Sequence, residues 1–224
     1  MNLEHIPDAV LSKRSKLSIH AIDFAFKSAI DRYTRLEGIL LEYPPVSDGT
    51  NAISMGWDML DWCEKTRKLI EVGSGFKKKA EWCQTFIRKI RPIENVRSFI
   101  QHLDKELSIC TKESMPLLGL LSASVQFPKE RGYCILVALP DGHKHEHTQE
   151  KDQVLCFDTQ EPFNPPIDHI RMMIGRYRLD LTRMNAIMTE GRKCFLRAIQ
   201  EIDSPNNGVV LTGDPLRGSP AAHP

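Results

Sequence analysis

A chain of 224 residues, with 41% hydrophobic and 26% charged side chains, can bury the core of one domain and has the composition of a globular protein. That balance excludes wholesale disorder and a membrane-embedded class. Thirty basic residues nearly match 29 acidic ones, so the formal net charge of +1 gives no global indication of nucleic-acid or membrane binding.

The compartment is indicated by what the sequence lacks. The first residues mix charges with Pro7, where a signal peptide needs an apolar run, and the longest apolar stretches, 115–125 and 133–140, are shorter than the roughly 20 residues that cross a bilayer. Six scattered cysteines form no CxxC pair. We therefore predict a cytoplasmic protein with no membrane span, no cofactor and reduced, mostly buried cysteines.

Two helices are predicted in the first third of the chain. Apolar residues recur three and four positions apart from Ile19 to Leu40, which indicates one buried helical stripe. The prolines of 43–45 end this helix, because each proline disfavours helical geometry in the residue before it. A second helix is predicted over about 51–72, and the glycines of 73–75 end it.

A third helical stretch is predicted over about 78–111. Pro92 interrupts it, because a proline inside a helix lacks the N–H and its ring clashes with the preceding turn. The second half carries a regular apolar stripe of five residues: Ile93, Val96, Ile100, Leu103 and Leu107.

Between about 116 and 160 the pattern changes to short, branched and aromatic stretches bounded by Pro, Gly and Asp, which predicts an antiparallel β-hairpin or meander. Apolar residues then recur in heptads from Ile167 to Ile202, which predicts one last helix roughly 50 Å long with bends at Gly175 or Gly191. Because that stripe exceeds what three shorter helices can cover, we predict homodimerisation through the last helix.

The predicted fold class is mainly α within α+β: a bundle of about four principal helices with a small β element inserted before the long last helix. The predicted organisation is an N-terminal arm at 1–16, a single helical domain at 17–203 with the β insertion at about 116–160, and a disordered tail at 204–224.

The pair Arg97 and His102, with four residues between them, is the first candidate for chemistry. A neutral imidazole can take the proton of a ribose 2′-hydroxyl, and a guanidinium can stabilise the negative charge that develops on the phosphorus oxygens. A five-residue offset places the two side chains roughly 140° apart on a helix, outside or at the border of the apolar stripe. The alternative is that both are solvated surface residues.

This Arg-x4-His pair on the third helix, with the string from Trp62 to Arg67 on the helix before it, resembles the HEPN superfamily. The resemblance covers about residues 17–111 and the last helix. It implies a helical bundle, a metal-independent endoribonuclease of a bacterial or phage defence or toxin–antitoxin system, and a dimer whose motifs line one cleft. It also implies that Arg97 and His102 are the catalytic pair. The sequence departs from the family at Ser98, where Asn, Asp or His is usual, and in its β insertion.

Local charge indicates RNA as a partner. Ten basic and three acidic residues between Lys65 and Arg97 give a local excess of seven positive charges, which a phosphate backbone would favour. The alternative is the ordinary solvated face of a bundle. The predicted RNA-binding residues are Lys77, Lys78, Lys79, Arg88, Lys89 and Arg91.

Other enzyme classes lose their support. The alternating histidines His143, His145 and His147 could ligate a metal, but the spacing is not that of a structural zinc site and a polar hairpin tip is the favoured interpretation. No glycine-rich phosphate loop, nucleophile elbow or HExxH motif is present. We therefore expect no metal. The competing hypothesis is a non-catalytic helical scaffold that binds itself or a protein partner.

Overall fold

The computed structural model describes residues 11–41, 49–112, 117, 119–125, 133–138, 155–157 and 167–203. Within them lie six helices: α1 (Lys13–Leu41), α2 (Thr50–Val72), α3 (Glu81–Ile90), α4 (Ile93–Gln101), α5 (Leu103–Lys112) and α6 (Leu181–Asp203). The five strands are β1 (Leu120–Val125), β2 (Tyr133–Ala138), β3 (Leu155–Phe157), β4 (Ile167–Ile174) and β5 (Tyr177–Asp180). The mainly helical class with an antiparallel sheet before the last helix is confirmed.

The helical core is built on the long pair α1 and α2, against which α3 and α6 pack. The stripe predicted on α1 is fully buried, from Ile19 to Leu40. An aromatic cluster joins α1, α3 and α6, because the ring of Phe26 lies 5.2 Å from that of Phe86 and 6.0 Å from that of Phe195. Burying such large rings supplies much of the free energy of folding.

The sheet has the order β3-β2-β1-β4-β5, and every neighbouring pair of strands is antiparallel. Its central strands face the bundle: Leu121, Ile170, Met172 and Ile174 are buried in the same core as the helices. Within the β element predicted at about 116–160, β1 packs on the bundle, because Leu121 and Ala123 are buried, whereas β4 lies in the stretch that was predicted as helix. Thr182 fixes the junction with α6, because its hydroxyl accepts from the Ile170 amide at 2.9 Å and pairs with the Tyr33 hydroxyl at 2.9 Å.

The prediction of one long helix from Ile167 to Ile202 was wrong in its first half. Residues Ile167–Ile174 and Tyr177–Asp180 form a β-hairpin, so the sheet extends beyond residue 160 and the last helix has 23 residues. Apolar spacing at 170, 172 and 174 is also the period of two that a strand requires. Gly175 makes the two-residue turn at a φ of 52° rather than a helix bend.

Gly191 lies inside α6 for a packing reason. A side chain there would begin 2.5 Å from the ring of Phe86, so only glycine allows α3 to approach α6 so closely. The apolar residues of α6 face inward, which removes the long exposed stripe on which dimerisation through that helix was based.

The third helical stretch is divided twice. The break at Arg91 and Pro92 is confirmed, and a second break at His102 separates α4 from α5. The first helix begins at Lys13, within the predicted arm, while the predicted tail lies outside the described residues. Cys63, Cys83, Cys110 and Cys194 are free thiols, and the first three of them are buried. No helix among the described residues has the length and apolar character to cross a bilayer.

Candidate functional site

His102 occupies the junction between α4 and α5, where its side chain is exposed. Its amide donates to the Phe99 carbonyl at 3.2 Å, and its own carbonyl accepts from the amides of Lys105 and Glu106 at 2.9 and 3.1 Å. The backbone of His102 therefore ends one helix and begins the next. The imidazole takes no part in that arrangement and remains accessible to solvent.

Arg97 lies on α4 with 34% of its side chain exposed, between the buried side chains of Val96 and Phe99. Its guanidinium donates to Asp61 on α2 at 3.0 Å, and Lys65 forms an ion pair with the same carboxylate. One carboxylate thus serves two cations. Because the Arg97 guanidinium has five N–H donors, it retains donor capacity for a further acceptor.

Arg67 forms a second ion-pair cluster, and this one is buried. Its guanidinium makes two 2.8 Å hydrogen bonds to the carboxylate of Glu64 and one of 2.7 Å to Glu71, while only 7% of the side chain is exposed. Glu94 on α4 lies 3.8 Å away. The hydrogen bonds that Arg67 donates to Glu64 raise the pKa of Arg67 against the opposing effect of burial. The Arg67 guanidinium is buried among these carboxylates, so the cluster stabilises the α2–α4 contact.

A continuous row of side chains crosses the outer surface of α2, and we call it the α2 band. It runs from Arg97 through Asp61 and Lys65 to Trp62 and Phe24. The Lys65 ammonium lies 4.3 Å from the centre of the Trp62 ring, whose centre lies 5.4 Å from that of Phe24. The band therefore connects the candidate catalytic arginine on α4 to an aromatic pair between α2 and α1.

The three consecutive lysines 77–79 lie in the loop between α2 and α3, and all are exposed. This loop folds back on the start of α1, where the hydroxyls of Ser15 and Ser74 are 3.5 Å apart. The exposed Lys13 and Arg14 therefore share one end of the helix pair with Lys77 and Lys79. We call these four residues the basic end. Lys78 has a structural role, because its ammonium donates to the Glu71 carbonyl at 2.9 Å and caps α2.

The remaining predicted RNA-binding residues lie elsewhere. Arg88 and Lys89 are exposed on α3. Burial raises the pKa of the Cys194 thiol, and the positive charges of Lys89 and of Arg197 on α6 oppose that rise. Arg91 is 74% exposed at the end of α3 and lies 3.8 Å from Glu94. The structure therefore separates the six predicted residues into a loop group and an α3 group.

Alternative chemistry finds little support in the described part of the chain. Burial raises the pKa of the Cys63 thiol, which removes it as a nucleophile. No three His, Cys, Asp or Glu residues within the described ranges converge as metal ligands, and His143, His145 and His147 lie outside those ranges. Asp23 is buried in an ion pair with Arg192 at 2.8 Å and with Lys27 at 2.7 Å, which ties α6 to α1.

Sequence reasoning missed Asp61, Phe24 and the start of α1. Asp61 and Phe24 could have been singled out only by knowing which helices are neighbours, since 36 residues separate Asp61 from Arg97. A signal was available for Lys13 and Arg14, because three basic residues and no acidic ones occur between residues 13 and 16.

Comparisons with protein-family models, with curated proteins and with solved structures found no match to this chain.

Proposed function

We propose that the protein binds single-stranded RNA and cleaves it without a metal, using Arg97 and His102. The observation that carries this proposal is that Arg97 on α4 and His102 at the junction after it both reach solvent, whereas Val96 and Phe99 are buried. Neither residue is required by the core. The proposal requires one phosphodiester and its ribose to contact both groups.

The chemistry assigns one role to each side chain. A neutral His102 imidazole accepts the proton of the 2′-hydroxyl, whose oxygen attacks the adjacent phosphorus. The bond from phosphorus to the 5′-oxygen then breaks, which leaves a 2′,3′-cyclic phosphate and, after proton transfer, a 5′-hydroxyl. Arg97 contacts the phosphate oxygens as they gain negative charge, and in doing so it exchanges part of its contact with Asp61 for the ligand.

The RNA backbone would follow the exposed cations. The basic end supplies four of them, and Arg88, Lys89 and Arg91 supply three more on α3. Phosphate contacts of this kind bind without sequence preference and weaken as salt is added. A cytoplasmic role in a defence or toxin system remains part of the proposal, by resemblance to the HEPN superfamily.

The test is incubation of the purified protein with labelled single-stranded RNA in EDTA. We expect cleavage products that end in 2′,3′-cyclic phosphate, because the 2′-hydroxyl is the nucleophile. Binding of RNA without cleavage would remove the enzyme and leave an RNA-binding protein. Absence of both binding and cleavage would contradict the proposal.

A second candidate function is a scaffold that associates with itself or with another protein. The observation that favours it is on α5, where Leu107 and Ile109 are 51% and 44% exposed. A contact with another chain would remove these two side chains from water. A homodimer would have a mass of about twice 25.5 kDa by light scattering. Leu107→Ser should then return the mass to that of one chain, and a single-chain mass for the wild type at high concentration would exclude self-association.

A further inference from the structure

Phe24 is an aromatic residue on the outside of the molecule. Its side chain is 60% exposed on α1, whereas the other phenylalanines and tryptophans whose burial the structure describes are buried or half-buried. An exposed phenylalanine ring stays in contact with water, so it contributes no hydrophobic free energy to folding. A bound partner that covers the ring would account for this exposed position.

The ring of Phe24 meets that of Trp62 edge to face, at 5.4 Å between centres and 79° between planes. In such an arrangement one ring keeps both of its faces clear of the other. The Lys65 ammonium lies over Trp62, and it also pairs with Asp61, the partner of Arg97. The aromatic pair is thus linked through Lys65 and Asp61 to Arg97, the residue proposed to bind the phosphate.

Charges of both signs border the aromatic pair. Between Lys13 and Lys27, α1 contains one acidic residue, Asp23, and that carboxylate is buried and paired. On α2 the Lys65 ammonium lies over Trp62, while the side chains of Asp58 and Asp61 on the same helix are 49% and 43% exposed. An aromatic pair with an ammonium group over one ring fits a ligand that carries both planar groups and phosphates, which is the chemistry of a single-stranded nucleic acid.

We propose that Phe24 and Trp62 form a base-stacking subsite on the α2 band, for a nucleotide next to the phosphate that Arg97 contacts. This inference rests on the proposed function and names the part of the RNA that the band recognises. Stacking on an aromatic ring accepts any base, so the subsite adds affinity without sequence preference. The basic end then contacts phosphates about 16 Å further along α1, the rise between Lys13 and Phe24.

The experiment compares two polyanions in EDTA with the His102→Ala protein, so that binding is measured without cleavage. The probes are oligo(U) RNA and inorganic polyphosphate, which has the charge but no bases. The variants are Phe24→Ala and Phe24→Tyr, and the matched control is Leu17→Ala, which removes another exposed apolar side chain from the same helix. Circular dichroism verifies the fold of each variant.

We expect Phe24→Ala to weaken oligo(U) binding about 5- to 100-fold and to leave polyphosphate binding unchanged. Phe24→Tyr should bind both probes as the parent does, because it keeps the ring, and Leu17→Ala should also match the parent. If the parent binds oligo(U) and Phe24→Ala binds it equally well, the stacking subsite is refuted and RNA binding stands.

Two other outcomes overturn the inference in different ways. If the parent binds neither probe, the proposed function fails together with the subsite. If Phe24→Ala leaves oligo(U) binding intact and converts a dimer to a single chain in light scattering, the aromatic pair belongs to a protein interface.

Discussion

Two arginines at the contact between α2 and α4 differ in how far they are exposed to solvent. Arg67 of α2 is 7% exposed, and its guanidinium pairs with the carboxylates of Glu64 and Glu71 and lies 3.8 Å from Glu94 of α4. Arg97 of α4 is 34% exposed, and it shares the carboxylate of Asp61 with Lys65. The Arg67 guanidinium is therefore buried, whereas the Arg97 guanidinium is open to solvent.

The difference indicates which charges serve the fold and which are available to a ligand. Removing one partner of a buried ion pair lowers the free energy of unfolding by several kcal/mol, because the remaining charge has no water to solvate it. An exposed ion pair contributes about 0 to 1 kcal/mol to stability, so replacing its carboxylate with a phosphate as the partner of the arginine costs little. By this criterion Arg67 maintains the structure, and Arg97 is the arginine that is open to the proposed RNA ligand.

The largest effect is expected for His102→Ala. If His102 is the general base, its loss should slow cleavage of single-stranded RNA by about 10²- to 10⁴-fold. The unfolding transition should stay in place, because only the backbone of His102 bonds to its neighbours at the helix junction. Initial rates and thermal unfolding of the same preparations measure both effects, and equal cleavage rates would exclude the assigned role.

Glu64→Gln should cost stability rather than activity. It removes the carboxylate that makes two hydrogen bonds to Arg67, so we expect a loss of about 3 kcal/mol in the free energy of unfolding. The matched control is Glu94→Gln, whose carboxylate lies 3.8 Å from the same guanidinium and is 53% exposed. Its loss should stay below about 1 kcal/mol in urea unfolding. Equal losses in the two variants would contradict the distinction between buried and exposed charge.

Lys77→Gln combined with Lys79→Gln should weaken RNA binding without changing the fold. If both ammonium groups contact phosphates, the slope of log affinity against log salt concentration should fall by about 1.4. The control is Arg35→Gln with Arg183→Gln, which removes the same charge at the far end of α1 and should leave the slope unchanged. A slope that changes equally in both double variants would indicate a general charge effect.

Lowering the pH should gradually reduce the stability that the buried ion pairs contribute, and we expect this effect to be smaller than those of the substitutions above. Burial raises the pKa of the Asp23 and Glu64 carboxyl groups, but hydrogen bonds from Lys27 and Arg192, and from Arg67 and Lys68, outweigh it and hold both pKa values below the ordinary range. A lowered pKa gives stability that is complete above the unfolded value, about 4 to 4.5, and is lost as the pH falls through the folded value.

Glu37 acts in the opposite direction, because burial raises its pKa and its contribution is lost as the pH rises. Urea unfolding from pH 7 to pH 3 should therefore show stability that declines below about pH 4.5, with a shallower decline in Asp23→Asn. An identical pH profile for Asp23→Asn would show that the Asp23 pair contributes nothing.

The helical half of the fold could be predicted because its signals are local. The stripe from Ile19 to Leu40 and the break at Pro92 depend on residues a few positions apart. Between Ile167 and Asp180, apolar positions satisfied a helical period and a strand period together, and pairing with β1 decided for the strand. That pairing joins residues distant in the sequence, so no local pattern contains it.

The surface positions of the two candidate residues could be predicted, but their surroundings could not. The sequence predicted Arg97 at the border of the apolar stripe and His102 outside it; in the structure Arg97 is half-buried and His102 is exposed, and their catalytic role stays a prediction. Neither Asp61 as the partner of Arg97 nor the contact between Phe24 and Trp62 follows from sequence spacing. Both depend on how α1, α2 and α4 pack, which is a property of the tertiary structure.

The most direct test is RNA affinity and unfolding free energy measured together for Arg97→Met and Asp61→Asn. If the exposed arginine serves the ligand, Arg97→Met should weaken RNA binding about tenfold or more, and Asp61→Asn should strengthen it, because a competing carboxylate is removed. Both variants should unfold within about 1 kcal/mol of the wild type. Unchanged affinity in both variants, with stability lost as in Glu64→Gln, would contradict the account and make Arg97 a second structural arginine.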